Sequence, residues 1–295
     1  MPFHRTLLFA PGNHARRIAK ALGLGADGVI LDLEDSVPPS EKAATRTAVA
    51  QALAHPRTTR GYVRVNAMGT HYCYGDLVAT VLPGVDGIVL PKVESAADLH
   101  AIDWLIANLE RDRGLAVGSL ELIPIIETAT GLARIWRTLQ ARTLKPYSGV
   151  WRVQCVAFGA ADYCHDLGLA PGSDEAELSH ARAELVLASR AAGMQGPLDS
   201  PWFHLHDLDG FRRSIERSRR SGFQGRLCIH PDQVPIANEG YAPSAGEIAQ
   251  AERIVAAFQA AEASGAAAIQ VDGQMIDYPI AQRAERLLKA VKGEG

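Results

Sequence analysis

Cysteine is scarce in this chain. Its four copies (Cys73, Cys155, Cys164 and Cys228) are scattered, with no CxxC pair and no Cys/His spacing of the kind that holds zinc. That pattern excludes a disulfide scaffold or a zinc module and leads us to expect reduced thiols in a cytoplasmic protein. An excess of charge of either sign is missing as well. Thirty Lys and Arg face 33 Asp and Glu, for a formal net charge of −3, which argues against a nucleic-acid partner or a polybasic membrane patch. Long apolar runs are also absent. No stretch approaches the roughly 18 residues of a membrane span. The N-terminal run Leu7-Leu8-Phe9-Ala10 is stopped by Pro11-Gly12, too soon for the apolar region of a signal peptide.

What the chain has instead is repetition. Short apolar runs at 6–10, 28–33, 61–65, 87–91, 120–126, 155–158, 195–198 and 225–229 alternate with longer amphipathic segments, the seventh run being the weakest. Helical patterns are read at 14–24, 40–53 (with Ser40 as N-cap), 97–109, 131–139, 174–192 and 208–221. Eight strand–helix alternations, with no Gly-x-Gly-x-x-Gly after the first run, predict a (β/α)8 TIM barrel rather than an open doubly wound sheet. The barrel is expected over residues 1–240. A C-terminal extension follows over 241–295, with a helix at 244–264, a hairpin at 268–277 turning at Asp272-Gly273, and a last helix to about Lys292.

In such a barrel, catalysis sits where the strands end at their C-terminal edges. Those ends carry Asp32, Glu34 and Asp35, then Arg64 and Asn66, then Lys92 and Glu94. Glu127 with Thr128, Asp162, Asp199 and His230 complete the series. Glu127 and Asp162 end consecutive strands, which places two carboxylates on neighbouring rims, as Mg²⁺ sites require; the lack of a His cluster disfavours zinc. Each carboxylate alone has an ordinary alternative, capping the helix that follows it. Arg64 is placed to bind a substrate carboxylate or an enolate oxygen, or else to pair with Glu34 or Asp35. Gly159-Ala160-Ala161 precedes Asp162 as small-residue backbone whose N–H groups suit a substrate carboxylate. Lys92 suggests a Schiff-base lysine, but a salt bridge with Glu94 or Glu127 is the simpler reading. Cys164 is read as packing.

Taken in order, these segments resemble the citrate lyase beta-subunit-like branch of the HpcH/HpaI aldolase superfamily. The resemblance rests on Leu8-Phe9-Ala10-Pro11-Gly12-Asn13, Ile30-Leu31-Asp32-Leu33-Glu34-Asp35-Ser36-Val37 and Tyr62-Val63-Arg64-Val65-Asn66. It continues through Leu90-Pro91-Lys92-Val93-Glu94-Ser95, Ile125-Ile126-Glu127-Thr128-Ala129 and Phe158-Gly159-Ala160-Ala161-Asp162. Ile229-His230-Pro231-Asp232-Gln233 and Asp272-Gly273-Gln274-Met275-Ile276-Asp277 close it, so that it runs from about residue 5 to 290. The chain departs from the family pattern at Ala161, where many relatives carry Glu, and at Ala15, where many carry Pro.

The resemblance implies a Mg²⁺-dependent lyase, with Mn²⁺ as a substitute, cleaving a 3-hydroxyacyl-CoA of the malyl-, citramalyl- or citryl-CoA type to acetyl-CoA and a 2-oxo acid. It implies Glu127 and Asp162 as direct metal ligands, with Asp32, Glu34 and Asp35 around them and Glu34 and Asp35 holding metal-bound water. Arg64 is then expected at the thioester or enolate oxygen, and Ile229, His230 and Pro231 near the CoA nucleotide. Asp277 is expected to reach the site of an adjacent subunit, in a homotrimer or homohexamer, as proton donor or acceptor. A malyl-CoA-type thioesterase, a citryl lyase subunit acting on an acyl carrier protein, a CoA-independent class II aldolase and a non-catalytic scaffold remain alternatives.

Overall fold

The apolar runs become eight parallel strands because they are buried on both faces, by the barrel interior on one side and by helices on the other. The computed structural model describes residues 4–142, 145–147 and 149–292. The strands are β1 (Thr6–Pro11), β2 (Gly28–Asp32), β3 (Arg60–Arg64), β4 (Gly87–Leu90), β5 (Glu121–Ile126), β6 (Ala157–Phe158), β7 (Leu198–Asp199) and β8 (Gly225–Cys228). They pair in sequence order, and β8 returns to β1 to close the barrel.

Helices α1 (Ala15–Leu22), α2 (Lys42–Ala54), α3 (Cys73–Thr80) and α4 (Ala96–Asp112) follow the first four strands. After β5 the chain forms two short helices, α5 (Ala129–Ala133) and α6 (Ile135–Ala141), where the sequence predicts one. Then come α7 (Ala160–Leu167), a 3₁₀ turn at Ala176–Leu178, α8 (Ser179–Ala191), α9 (Leu208–Ser221) and α10 (Gln233–Tyr241). The predicted Ser40 cap is not formed: Glu41 is the residue before α2, and no side chain caps that end.

Strand parity sorts the side chains into two cores. Leu7, Ile30, Tyr62, Val89, Ile123, Ile125, Ala157, Leu198 and Leu227 fill the barrel. Their neighbours Leu8, Val29, Leu31, Val63, Ile88, Leu90, Leu122, Ile126, Phe158 and Cys228 pack beneath the helices. At the N-terminal end of the barrel, the Tyr62 hydroxyl donates to Glu121 Oε2 at 2.7 Å, beside the buried His4 ring.

The described residues fall into two compact units, one ending at Tyr241 and one starting at Ala242. The second holds α11 (Ala245–Ala263), β9 (Ala268–Val271), β10 (Gln274–Asp277) and α12 (Tyr278–Lys292). Ser244 and Glu247 form a reciprocal capping box at the start of α11. Asp272 and Gly273 both take positive φ (51° and 81°), the conformation of a two-residue hairpin turn. Ile254, Phe258 and Ile276 form this unit's own core. Among the described residues no helix is long and apolar enough to cross a membrane.

Parity also corrects one expectation. Leu198 points into the barrel, so Asp199, one residue later, points outward and does not join the rim. It is wholly buried, 3.0 Å from Arg182 Nε and 3.6 Å from Arg226, and these guanidinium groups hold its carboxyl below the ordinary range despite burial. Removing one member of a buried ion network strands the others, at a cost of about 3–5 kcal/mol. Asp199→Ala is therefore expected to lose stability of that order in urea denaturation. A loss under about 1 kcal/mol would show the network to be energetically idle.

Candidate active site

The same parity brings functional side chains to one end of the barrel. Asp32 lies two residues beyond Ile30, Arg64 two beyond Tyr62, Glu127 two beyond Ile125, Gly159 two beyond Ala157 and Ile229 two beyond Leu227. Each continues an inward-facing series past its apolar part. They line a cavity of about 440 Å³ together with Phe9, Arg17, Asp35, Ala160, Ala161, Asp162 and Phe203.

Asp32 and Arg64 are register neighbours on β2 and β3. Arg64 grips Asp32 with two parallel hydrogen bonds, Nε to Oδ1 at 2.7 Å and Nη2 to Oδ2 at 2.8 Å, while Nη1 lies 3.1 Å from Glu34 and 3.3 Å from Asp35. The ion pair expected with Glu34 or Asp35 therefore exists, but Asp32 is its main partner. Burial works against the Asp32 carboxylate, yet Arg64 overcomes it and holds the pKa down at about 2. Arg64, also buried, is raised by Asp32 and Glu34 and stays charged. Its ring-facing side covers Phe9, 4.9 Å from the centroid.

The 33–36 turn that presents Glu34 and Asp35 is pinned from behind. The buried Lys42 ammonium donates to the carbonyls of Leu33 (2.8 Å) and Glu34 (2.6 Å), and Asn66 donates to Leu33 at 3.0 Å. Asn66 is thus a support rather than a rim group, itself held by buried Asp76.

Glu127 is 2% exposed. It does not cap the following helix; Thr128 does, accepting from the N–H of Gly131. Its Oε1 accepts from the main-chain N–H of Lys92 at 2.8 Å. Burial, then the nearby charges of Asp162 and Glu34, push its pKa up to about 8 against the opposing pull of Lys92 and Arg64. Glu34 is raised too, chiefly by burial. Lys92 takes a left-handed backbone (φ 52°) and sends its ammonium to Glu34 at 2.8 Å, with Asp162 at 3.8 Å and Asp35 at 4.0 Å. Its ion pair is with Glu34, not the expected Glu94 or Glu127. Burial disfavours its charge, but Glu34, Glu127 and Asp35 leave it above the ordinary lysine value.

Gly159 is the N-cap of α7, and Asp162 lies in its first turn. The N–H groups at the start of that helix have no intrahelical acceptors, so Ala160 and Ala161 offer donors and a positive dipole end to the cavity. Ile229 lines the cavity, whereas His230 and Pro231 do not. His230 instead lies in the turn before α10, its Nδ1 accepting from the N–H of Asp232. Asp277 belongs to the C-terminal unit. There it lies on β10 with Met275, facing away from Ile276, and accepts from the N–H of Ile280. Phe9, Arg17 and Phe203 line the cavity without having been singled out in the sequence.

The donor set fits a hard divalent cation. It is oxygen-only, and two like-charged carboxylates, one deeply buried, are held beside each other at an energetic cost that such a cation relieves. Among the described residues no group of three or more His, Cys, Asp or Glu is arranged to hold a metal. A site made of Glu127 and Asp162 would leave the rest of a coordination sphere to water and substrate, as Mg²⁺ sites commonly do.

The HpcH/HpaI aldolase/citrate lyase family model matches residues 5–231. The chain belongs to that family. It is a lyase of the aldolase/citrate lyase type. Among its relatives is the citrate lyase subunit beta of Leuconostoc mesenteroides subsp. cremoris, 34% identical over 287 residues covering 97% of this chain and 92% of the relative. The L-malyl-CoA/beta-methylmalyl-CoA lyase of Rhodobacter capsulatus is 33% identical over 308 residues, with coverage of 97% and 94%. Among solved structures, protein CitE from Mycobacterium tuberculosis, in complex with magnesium, acetoacetate and coenzyme A, is 31% identical with a TM-score of 0.77, covering 98% of each chain.

Proposed function

We propose that this family member cleaves a 3-hydroxyacyl-CoA of the malyl-, citramalyl- or citryl-CoA type into acetyl-CoA and a 2-oxo acid, with Mg²⁺ at Glu127 and Asp162. The observation that carries the reading is the Glu127–Asp162 pair, set beside Arg64 in one cavity. The coenzyme A and magnesium of the CitE complex, and the malyl-CoA substrate of the Rhodobacter enzyme, support the choice of ligands.

A Mg²⁺ bound there supplies Lewis acidity toward the substrate's hydroxyl and neighbouring carboxylate. The chain's own groups do the rest. The N-terminal turn of α7 orients the substrate carboxylate by its free N–H groups. Arg64, fixed by Asp32, offers preorganised positive charge to the thioester oxygen as the bond between the acetyl carbon and the hydroxyl-bearing carbon breaks. The hydroxyl proton leaves to solvent as that carbon becomes the 2-oxo carbonyl. The electron pair left on the acetyl unit takes a proton at carbon from the Asp277 carboxyl of an adjacent copy in a homotrimer or homohexamer, which solvent then reprotonates. Arg17 adds positive charge at the cavity edge, suited to an anionic part of the thioester.

The test is incubation with Mg²⁺ and a panel of such thioesters, following acetyl-CoA, 2-oxo acid and free CoA by mass spectrometry, with an EDTA control. EDTA-sensitive acetyl-CoA with one oxo acid is expected. Free CoA with intact hydroxy acid would instead make the protein a thioesterase. Asp277→Asn is expected to keep metal and substrate binding while turnover falls by about 10²-fold or more. Near wild-type turnover would remove Asp277 from the mechanism.

A further inference from the structure

Besides Asp32, which Arg64 grips with two hydrogen bonds, four carboxylates stand in this region: Glu34, Asp35, Glu127 and Asp162. Arg64 touches only Glu34 and Asp35 of them, through Nη1 at 3.1 Å and 3.3 Å. Lys92 reaches all four. Its ammonium lies 2.8 Å from Glu34, 3.8 Å from Asp162 and 4.0 Å from Asp35, while its main-chain N–H holds Glu127 at 2.8 Å. It serves both ends from a left-handed backbone, φ 52°, that a lysine otherwise avoids. Its ammonium is engaged by carboxylates, so ion pairing rather than a covalent role toward substrate is what its surroundings support.

We infer that Lys92 is a built-in counter-cation: it holds the carboxylates together before a divalent ion arrives, and its charge sets how weakly that ion is then bound. The inference rests on the metal reading of the site given above. The physics is direct. A unit positive charge within about 4 Å of a ligand oxygen, in a partly buried site, opposes a second cation strongly. Lys92 is thus a positioning residue. It keeps Glu127 and Glu34 in place and keeps the metal exchangeable.

Calorimetric titration of the full chain with Mn²⁺ at pH 8 tests this. Lys92→Met removes the charge, and Mn²⁺ is expected to bind at least about tenfold more tightly than to wild type. Lys92→Arg keeps the charge and is expected to stay within about twofold of wild type. A residue of merely structural value predicts the reverse, weaker binding in Lys92→Met. If Lys92→Met does not fold, Lys92→Gly serves, since glycine accepts the same φ and keeps the N–H to Glu127. Unchanged or weaker Mn²⁺ binding in the charge-deleted variant, with binding intact in wild type, overturns the inference alone. No Mn²⁺ binding by wild type up to millimolar concentration overturns it together with the metal site.

Discussion

Gly159→Ala is expected to abolish divalent-cation binding and to lower turnover by about 10³-fold or more, although it adds one methyl group. The backbone does not forbid it: φ at Gly159 is −106°, open to any residue. The obstacle is space. A Cβ there would fall inside the van der Waals envelope of Glu127 Oε2, 2.6 Å from Glu127 Cβ and 3.0 Å from Ile125 Cγ2. Ile125 is a wall of the barrel interior and the Glu127 Cβ is fixed to its backbone, so the backbone around Gly159 and Glu127 must shift and the Glu127 carboxylate must swing aside. Its Oε1 is tied to the Lys92 N–H, and that bond breaks as the carboxylate swings away. Overpacking of this kind costs about 1–3 kcal/mol, so the variant should still fold. The discriminating result is therefore a cooperative melt with no Mn²⁺ binding. Retention of wild-type Mn²⁺ affinity would show that Glu127 is not a ligand.

Much of the barrel was legible because its strands are apolar and its helices long, but the legibility failed wherever an element is held by its neighbours alone. β6 and β7 are two residues each, too short for a period to be read, and the wrong parity for Asp199 follows from that. Helix α3 carries Gly75 and β-branched residues and shows little periodicity. Contacts with other elements hold it, since its Asp76 accepts from Arg46 on α2 and from Asn66 beyond β3.

The site follows the same rule. Arg64 could be placed because the alternation of β3 carries it inward, and Glu127 because it follows directly on the end of β5. The choice of Asp32 as partner for Arg64 needed the β2–β3 register, in which the two lie side by side. Arg17 comes from an exposed helix face and Phe203 from a loop, where no period marks a residue as lining a cavity. The role of Lys92 hangs on a positive φ that nothing in Leu90-Pro91-Lys92-Val93 announces.

Divalent-cation binding should depend steeply on pH between about 6 and 8, and Glu127 is the reason. In the metal-free protein, burial and the charges of Asp162 and Glu34 raise its pKa from 4.5 to about 8. A raised carboxylate pKa means that folding favours the protonated form. The associated stability is complete below the unfolded value of 4.5 and drains away as pH climbs through about 8. Metal binding requires the opposite form, so one proton must leave Glu127 for each ion bound below pH 8. Apparent affinity is thus expected to fall close to tenfold per pH unit from 8 down to 6, roughly 1.4 kcal/mol per unit, and to level off above about 8.5. Two measurements check the sign. Titrating Mn²⁺ at pH 7 in buffers of different ionisation enthalpy should give nearly one proton released per ion. The rise in melting temperature caused by 10-fold excess Mg²⁺ should grow from pH 6 to pH 8, because the ion relieves a repulsion that protonation has already relieved at lower pH. Asp32, held at about 2 by Arg64, stays ionised throughout this window and contributes nothing to the slope. A pH-independent affinity with no proton release would mean that Glu127 is already ionised in the metal-free site, and that Lys92 and Arg64 outweigh burial there.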